Sequence, residues 1–250
     1  MNLHFSHFGF TLLQQFLRTN PFDVILIQDP PQVLLSGQAF LWDFSIILSS
    51  NFDPSNHSCR PLSAIVLRTS LHFQRLPLAH RRLSGALIST RRGQVVVISA
   101  YIRHGDGEGI SDLSSLVASA RAHTPLILIG ADCNGHSSWW GPQETSTNAV
   151  GAQVEDFILQ ERLTVANRWP CPPTFNSEMG FQTWIDVTLT SSTLTTTVTD
   201  WRVLSEVYLD SDHSAISYPL QLVPDRSIEP RLDWRRVPWG SFRQTLQSEL

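Results

Sequence analysis

The sequence predicts an α/β (α+β) fold in which two mixed β-sheets pack on each other and helices cover the outside. Three observations lead there. Short β-branched or apolar runs, cut off by Gly, Pro or Asp, recur along most of the 250-residue chain. Amphipathic helical stretches are interspersed among them in the first two thirds, and the last third is mostly strand-like. Strands and helices do not alternate regularly, which argues against a doubly wound parallel sheet, and no internal repeat is visible.

Taken in order, "TLLQQFLRTN" has apolar residues at helical spacing and stops at Asn20 and Pro21. "DVILIQDPP" reads as a short buried strand cut off by two prolines, and "SAIVLRTS" as another strand. "GALIST-RRGQ-VVVISAYI" reads as a hairpin whose polar turn contains Gly93. "ISDLSSLVASARAH" is helical, with Asp112 near its start and Arg121 and His123 near its end, charges that suit the helix dipole. "PLILIGAD" is a buried strand. "GAQVEDFILQERL" is an amphipathic helix with Val154, Phe157 and Ile158 on one face. "LTVAN", "TWIDVTLTS", "DWRVLSEV" and "SAISYPLQL" are strand-like. After Leu222 the composition turns rich in Pro and Arg. We therefore expect a domain over residues 1–222 and a linker-like tail over 223–250.

Composition excludes more than it selects. With 42% hydrophobic residues and this length, the chain can bury a substantial core. A net charge of −4 does not by itself announce a nucleic-acid partner. All 18 basic residues other than His are Arg; the guanidinium fork suits phosphate, although codon bias is the plainer explanation for most of them. Cys59, Cys133 and Cys171 form no C-x-x-C pair, so neither a zinc site nor a disulfide framework is indicated, and a reducing compartment fits. No apolar run approaches the roughly 20 residues of a spanning helix, so no membrane partner is expected. The N-terminal "MNLHFSHFGF" does not read as a signal peptide.

The polar residues that stand out lie where strands end, the places from which a rigid scaffold presents side chains to a shared cleft. Asp29 ends "VILIQDP", Tyr101 ends "VVVISAY", and Asp132 and Asn134 end "LILIGADCN". Each has a plainer explanation as a turn or capping residue. Asp186, inside "TWIDVTL", is harder to dismiss, because an acid within an alternating apolar strand is costly unless it is paired. In "LDSDHSAISYPL", Asp210, Asp212 and His213 precede another strand. His213 is the available cationic partner for Asp186, as an imidazole held by an orienting carboxylate.

"GADCNGHSSWWG", "TWIDVTL" and "SDHSAI", in that order and with "LIQDP" upstream, resemble the endonuclease/exonuclease/phosphatase superfamily. More narrowly, the chain resembles the apurinic-like endonuclease domain of non-LTR retrotransposons. "NGHSSWWG" and the "TNAVGAQVEDFI" stretch that opens a helix resemble the insect-type, often site-specific, branch. The resemblance spans residues 1–222. It implies a four-layer sandwich and Mg²⁺-dependent cleavage of a DNA phosphodiester, with Mn²⁺ as the alternative ion. It implies double-stranded DNA as the target, a reverse transcriptase domain as the partner in a full-length element, and a nuclear place of action, or otherwise a cytoplasmic one. The nick would leave a 3′-hydroxyl that primes reverse transcription.

Residue by residue, the resemblance matches Asn2, Tyr101, Asp132, Asn134, Asp186 and His213 to the catalytic groups, and Asp29 and Asp212 to the metal side. Those roles are chemically coherent. Asp132 would align and deprotonate the attacking water. Asn134 would hold that water or a phosphate oxygen, and Tyr101 would contact the same phosphate. His213, kept protonated by Asp186, would donate to the oxygen on which charge develops. Arg81, Arg82 and Trp139 are candidate DNA contacts, as are Arg91, Arg92 and Trp140. Three departures stand out. Glu is usual where Asp29 stands, and related enzymes often carry an acid where His4 stands. The family also has a full strand before the Asn, whereas Met1 immediately precedes Asn2. The first strand is thus expected to be truncated and Asn2 to fray. Two other readings remain at this point: an abasic-site or other phosphoesterase of the same superfamily, and an inactive remnant.

Overall fold

The computed structural model describes residues 1–35, 43–49, 60–77, 80–103 and 107–224. Cys59 and all but the first two residues of the expected tail lie outside them. The chain runs through helix α1 (His7–Thr19), strand β1 (Val24–Gln28), the single turn α2 (Gln32–Leu35), β2 (Phe44–Leu48), β3 (Ser63–Arg68), β4 (Phe73–Arg75), β5 (Leu83–Thr90) and β6 (Gly93–Tyr101). It continues through α3 (Gly107–Arg121), β7 (Ile127–Asp132), α4 (Ala149–Gln160), β8 (Leu163–Val165), β9 (Phe175–Asn176), β10 (Gln182–Thr183), β11 (Asp186–Ser191), α5 (Ser192–Thr195), β12 (Arg202–Leu204) and β13 (Ala215–Ser217). All the long strands and helices expected from the sequence are present.

The larger sheet has the order β4-β5-β6-β7-β11-β8. It is mixed, because β6 and β7 are parallel and joined by the α3 crossover, while the other pairs are antiparallel. The smaller sheet, β1-β3-β2, lies against it, and β12 and β13 form a separate pair.

Alternation along the strands builds the four layers. On β6, Val96, Ile98 and Ala100 pack under α3 and α4 with Leu113, Val117, Val154 and Phe157. Val95 and Val97 point the other way and meet Ile65 and Leu67 of β3 between the sheets. On the far side of the small sheet, Ile25 and Ile27 pack on Phe10, Leu13 and Leu17 of α1. Helices, sheet, sheet and helix are therefore each sealed by one face of a two-residue period. The sheets come close where Gly130 faces Leu26: a Cβ there would lie 2.8 Å from the Leu26 side chain.

Toward one end the inter-sheet layer turns polar. Gln28 Nε2 donates to Ser99 Oγ (2.9 Å) and to the Gly130 carbonyl (3.2 Å). Ser99 Oγ donates to the Ile27 carbonyl (2.9 Å), and Ser63 Oγ to the Ser99 carbonyl (2.7 Å). These buried groups satisfy one another and tie the two sheets together beside the cleft.

The N-terminus departs from expectation. Asn2 does not fray: it is 5% exposed and bridges Gln28 in parallel orientation. Gln28 N–H donates to the Met1 carbonyl (2.9 Å), and Leu3 N–H to the Gln28 carbonyl (3.0 Å). The buried Met1 ammonium donates to the Leu26 carbonyl (2.9 Å), and burial lowers its pKa. Residues 1–3 thus lie beside the end of β1. Farther along, between β1 and β13, is an apolar cavity of about 550 Å³ lined by Phe16, Leu17, Val24, Val97, Leu128 and Tyr218.

An upstream extension of about five residues, alternating Ile or Val with Thr, is expected to lie in this cavity parallel to β1. It would cover apolar surface and pair the backbone edge of β1. A gain of about 2 kcal/mol corresponds to a melting temperature about 4–8 °C higher. An unchanged or lower value in calorimetry would show that the cavity does not accept a strand.

Candidate active site

Strand register assembles the centre of the site. Tyr101 is the parallel partner of Asp132, and Asp132 is the antiparallel partner of Asp186. Directly paired residues point to the same face, so β6, β7 and β11 place one phenol and two carboxylates in a row on the inter-sheet face. This explains the acid in an otherwise apolar strand: Val187 and Leu189 turn toward the helices, and Asp186 turns toward the cleft.

His213 arrives from the segment before β13. Three backbone-directed contacts hold that segment: His213 bridges Phe175, Asn176 N–H donates to the Asp212 carbonyl (2.7 Å), and Ser214 N–H donates to the Thr174 carbonyl (2.8 Å). Phe175 packs its ring against the imidazole in a T-shaped contact at 5.0 Å. His213 Nδ1 lies 2.9 Å from Asp186 Oδ2, and Nε2 lies 3.7 Å from Asp132 Oδ2. Burial alone would lower the His213 pKa, but the charge and hydrogen bond of Asp186, with Asp132, raise it to about 9. Burial, then the charge of Asp186, pushes Asp132 up to about 7. Ligand atoms of Asp132, Asp186 and His213 lie within 4.8 Å of one another, a spacing that could hold an ion. The imidazole is cationic at neutral pH, however, and a protonated ring donates hydrogen bonds rather than ligating a metal.

Asn2 links this trio to Asp29. Its Nδ2 donates to Asp132 Oδ2 (2.9 Å) and to Asp29 Oδ2 (3.3 Å), while its Oδ1 accepts from His4 N–H (2.7 Å). Asp29 is buried, and burial raises its pKa against the lowering effects of Asn2, His4, His213 and Arg60. Its Oδ1 is buried without a hydrogen-bond partner among the described residues. Asp29 also sits at φ 45°, a left-handed backbone that Asp tolerates better than most residues. Left-handed residues cluster around the site: His4, Phe5, Asn134 and Asp210 have φ of 46°, 58°, 49° and 52°.

Asn134 turns back on β7. Its N–H donates to Asp132 Oδ1 (3.2 Å), and its Nδ2 donates to the Ile102 carbonyl (3.0 Å). Tyr101 is half-buried, and burial with the charges of Asp29 and Asp132 pushes its pKa up to about 12, so it is a neutral hydrogen-bonding phenol. Asp212 is not part of the trio. It lines a neighbouring cleft with His4, Asn176, Tyr208 and Asp210, and His4 is close enough to Asp29 to influence its charge.

The candidate DNA contacts separate in space. Arg82 and Arg103 lie within electrostatic reach of Tyr101, and the Arg81 and Arg82 carbonyls accept backbone hydrogen bonds from Leu62 and Tyr101. Arg91 and Arg92 occupy the far tip of the β5–β6 hairpin. That tip is eight residues of β6 from Tyr101, roughly 27 Å at strand rise. Trp139 is 43% exposed, whereas Trp140 is 2% exposed and donates to the Gly135 and Trp184 carbonyls. The loop holding both is fixed to α4 by Asn148, whose Oδ1 accepts from His136 N–H (3.1 Å) and Gly151 N–H (2.7 Å). Two features were not anticipated from sequence. One is Arg60 beside Asp29; the other is the β9–β10 hairpin, whose tip exposes Phe181 (64%) and, in the cleft lined by His4 and Asp212, Met179 (81%).

The family model described as Endonuclease-reverse transcriptase matches residues 95–217. No curated protein sequence matches the chain. Among solved structures, the endonuclease domain of TRAS1, a telomere-specific non-LTR retrotransposon, is similar with a TM-score of 0.74 at 22% identity, over 89% of this chain and 96% of that one. The catalytic domain of Xenopus laevis APE2 gives 0.67 at 14% identity, over 91% and 92%. A mannosyl-6-phosphatase from Bacteroides thetaiotaomicron gives 0.58 at 13%, over 85% and 90%.

Proposed function

We propose, for a chain that resembles the endonuclease domains of non-LTR retrotransposons in family pattern and in fold, that it is a Mg²⁺-dependent DNA endonuclease. It nicks double-stranded DNA and leaves a 3′-hydroxyl from which a linked reverse transcriptase extends, an activity whose place is the nucleus. The convergence of Asn2, Tyr101, Asp132, Asp186 and His213 on one end of the inter-sheet cleft, with Asp29 alongside, carries the reading. A water-activating acid, a charged imidazole and neutral donors around one spot are what in-line hydrolysis of a phosphodiester requires.

Asp29 fits a hard cation, because a buried anionic oxygen without a hydrogen-bond donor calls for positive charge. Asp29 would hold Mg²⁺ or Mn²⁺, with Asp212 as the second acid. Bound there, the ion would neutralise phosphate charge and favour departure of the 3′-oxygen. Asp132, aligned by Asn2 and Asn134, takes the proton of the attacking water. His213, oriented by Asp186, donates to the non-bridging oxygen as it gains charge. Tyr101 donates to the same phosphate. Arg81, Arg82 and Trp139 are assigned to contacts with DNA outside the cleaved bond, and the exposed Met179 and Phe181 to a groove-facing wedge.

A plasmid-nicking assay tests this. Supercoiled DNA should be converted to the open circle in Mg²⁺ and not in EDTA. Saturating Mg²⁺ should also raise the melting temperature by several degrees, since binding to the folded state stabilises by about 2.7 kcal/mol at a hundredfold excess over Kd. Nicking that persists in EDTA would remove the metal assignment. Release of phosphate from sugar phosphates without nicking would favour a phosphatase.

A further inference from the structure

Arg60 is a cation beside Asp29 to which the chemistry above gives no role. It lies just before β3, and its guanidinium is bracketed by two segments that also frame Asp29. The guanidinium carbon sits 3.8 Å above the centre of the Phe5 ring, and Nη2 donates to the Pro30 carbonyl (3.1 Å). Phe5 N–H donates to the Asp29 carbonyl (2.9 Å), so ring, carbonyl and carboxylate belong to one fixed frame. Within it Arg60 Nε is buried and has no hydrogen-bond partner among the described residues.

One face of the guanidinium is covered by an aromatic ring and Nη2 is tethered, while the buried Nε–H has no hydrogen-bond partner among the described residues, a donor whose desolvation an oxyanion beside the guanidinium would offset. Stacking and tethering restrict the side chain in advance, so little freedom is lost on binding an anion. Placement adds direction. His213 approaches on the β11 side of Asp132, whereas Arg60 belongs to Asp29 and to the segment leading into β3.

We infer that Arg60 is a further substrate-binding residue, taking a DNA phosphate next to the one that is cut, on the Asp29 side of the cleft. The assignment rests on the endonuclease reading above. It gives the bound strand a second fixed point and hence a direction across the site.

The test is equilibrium binding of a duplex of about 20 base pairs to the full chain in EDTA, over a series of NaCl concentrations, together with steady-state nicking in Mg²⁺. Each neutralised phosphate contributes about 0.9 to the slope of log K against log salt. Arg60→Ala is expected to lower the slope by about that amount and to weaken binding about tenfold at low salt. KM should rise while kcat stays within about twofold. Arg60→Lys should restore the slope but not the full affinity, because an ammonium has the charge without the fork. A merely structural role predicts a lower melting temperature in Arg60→Ala with the wild-type slope, and that result overturns the inference. If Arg60→Ala does not fold, Arg60→Gln keeps most of the stem over Phe5 and is read in the same way. Wild-type protein that neither binds the duplex nor nicks would sink the endonuclease reading and Arg60 with it. Wild-type binding with an unchanged slope in the variants sinks Arg60 alone.

Discussion

Asp132→Ala and His213→Ala are each expected to reduce plasmid nicking by about a hundredfold or more, and only His213→Ala is expected to lower stability. Loss of a positioned base or of a charge-stabilising donor costs on that order. Asp132 and Asp186 are direct cross-strand partners, both buried, with His213 as the cation between them. Removing Asp132 removes one of two facing carboxylates, so Asp132→Ala should keep a cooperative melt near the wild-type temperature. Removing His213 leaves the two carboxylates facing each other without their cation. His213→Ala should therefore melt lower near pH 8 and recover as pH falls and a carboxyl takes up a proton. The double variant should regain stability relative to His213→Ala but no activity, a coupling that a thermodynamic cycle would show. Near-normal nicking in either single variant, with unchanged circular dichroism, would take that residue out of the mechanism.

The second large effect is on pH dependence. Asp132 must be ionised to act as a base, and its pKa is raised to about 7, first by burial and then by Asp186. His213 must be protonated to donate, and Asp186 is the main group raising its pKa to about 9 against the opposing effect of burial. Nicking should therefore peak between about pH 7 and 9 and fall about tenfold per unit on either side. Because the charge of Asp186 raises both groups, Asp186→Asn should move both limbs to lower pH rather than narrow the profile. An acid limb that stays in place would mean that Asp132 is not the titrating base.

The same shifts enter stability. The folded-state pKa of His213 lies above its ordinary 6.5, so its contribution is complete below about pH 6.5 and is lost as pH rises through 9. The raised Asp132 makes ionisation costly from about pH 4 to 7. Both signs agree: this cluster loosens the fold as pH rises.

What the sequence made legible follows from length and local order. β6, β7 and β11 are long enough for alternation to show, and the residues that end them lie in one row. β4 has three residues, and β9 and β10 have two each, too few to display a period, so the β9–β10 hairpin went unread. The Arg60–Phe5 stack joins residues far apart in sequence, and no local signal announces it. Trp139 and Trp140 are adjacent and alike in composition; only tertiary packing exposes one and buries the other. Arg91 and Arg92 are legible as a turn, but their distance from the cleft depends on which end of β6 faces it.

The row of Tyr101, Asp132 and Asp186 also governs how this chain can change in length over generations. A one-residue insertion or deletion that shifts the register of β7 would exchange its faces, turning Ile127, Ile129 and Ala131 into the cleft and Leu128 and Asp132 under the helices. Core and chemistry would be lost in one event. A two-residue change would preserve the faces yet slide the acid about 7 Å along the strand, away from its partners. The hairpin tips carry no such register: although Gly93 and Gly180 hold positive φ of 123° and 84°, an added Cβ at either meets nothing within 4 Å. The frame of the inner strands is thus closed to indels, while the tips stay open to them. Diversification of what such a protein grips is confined to the periphery, and the reaction it performs is held constant by the same hydrogen-bonded ladder that holds its sheet together.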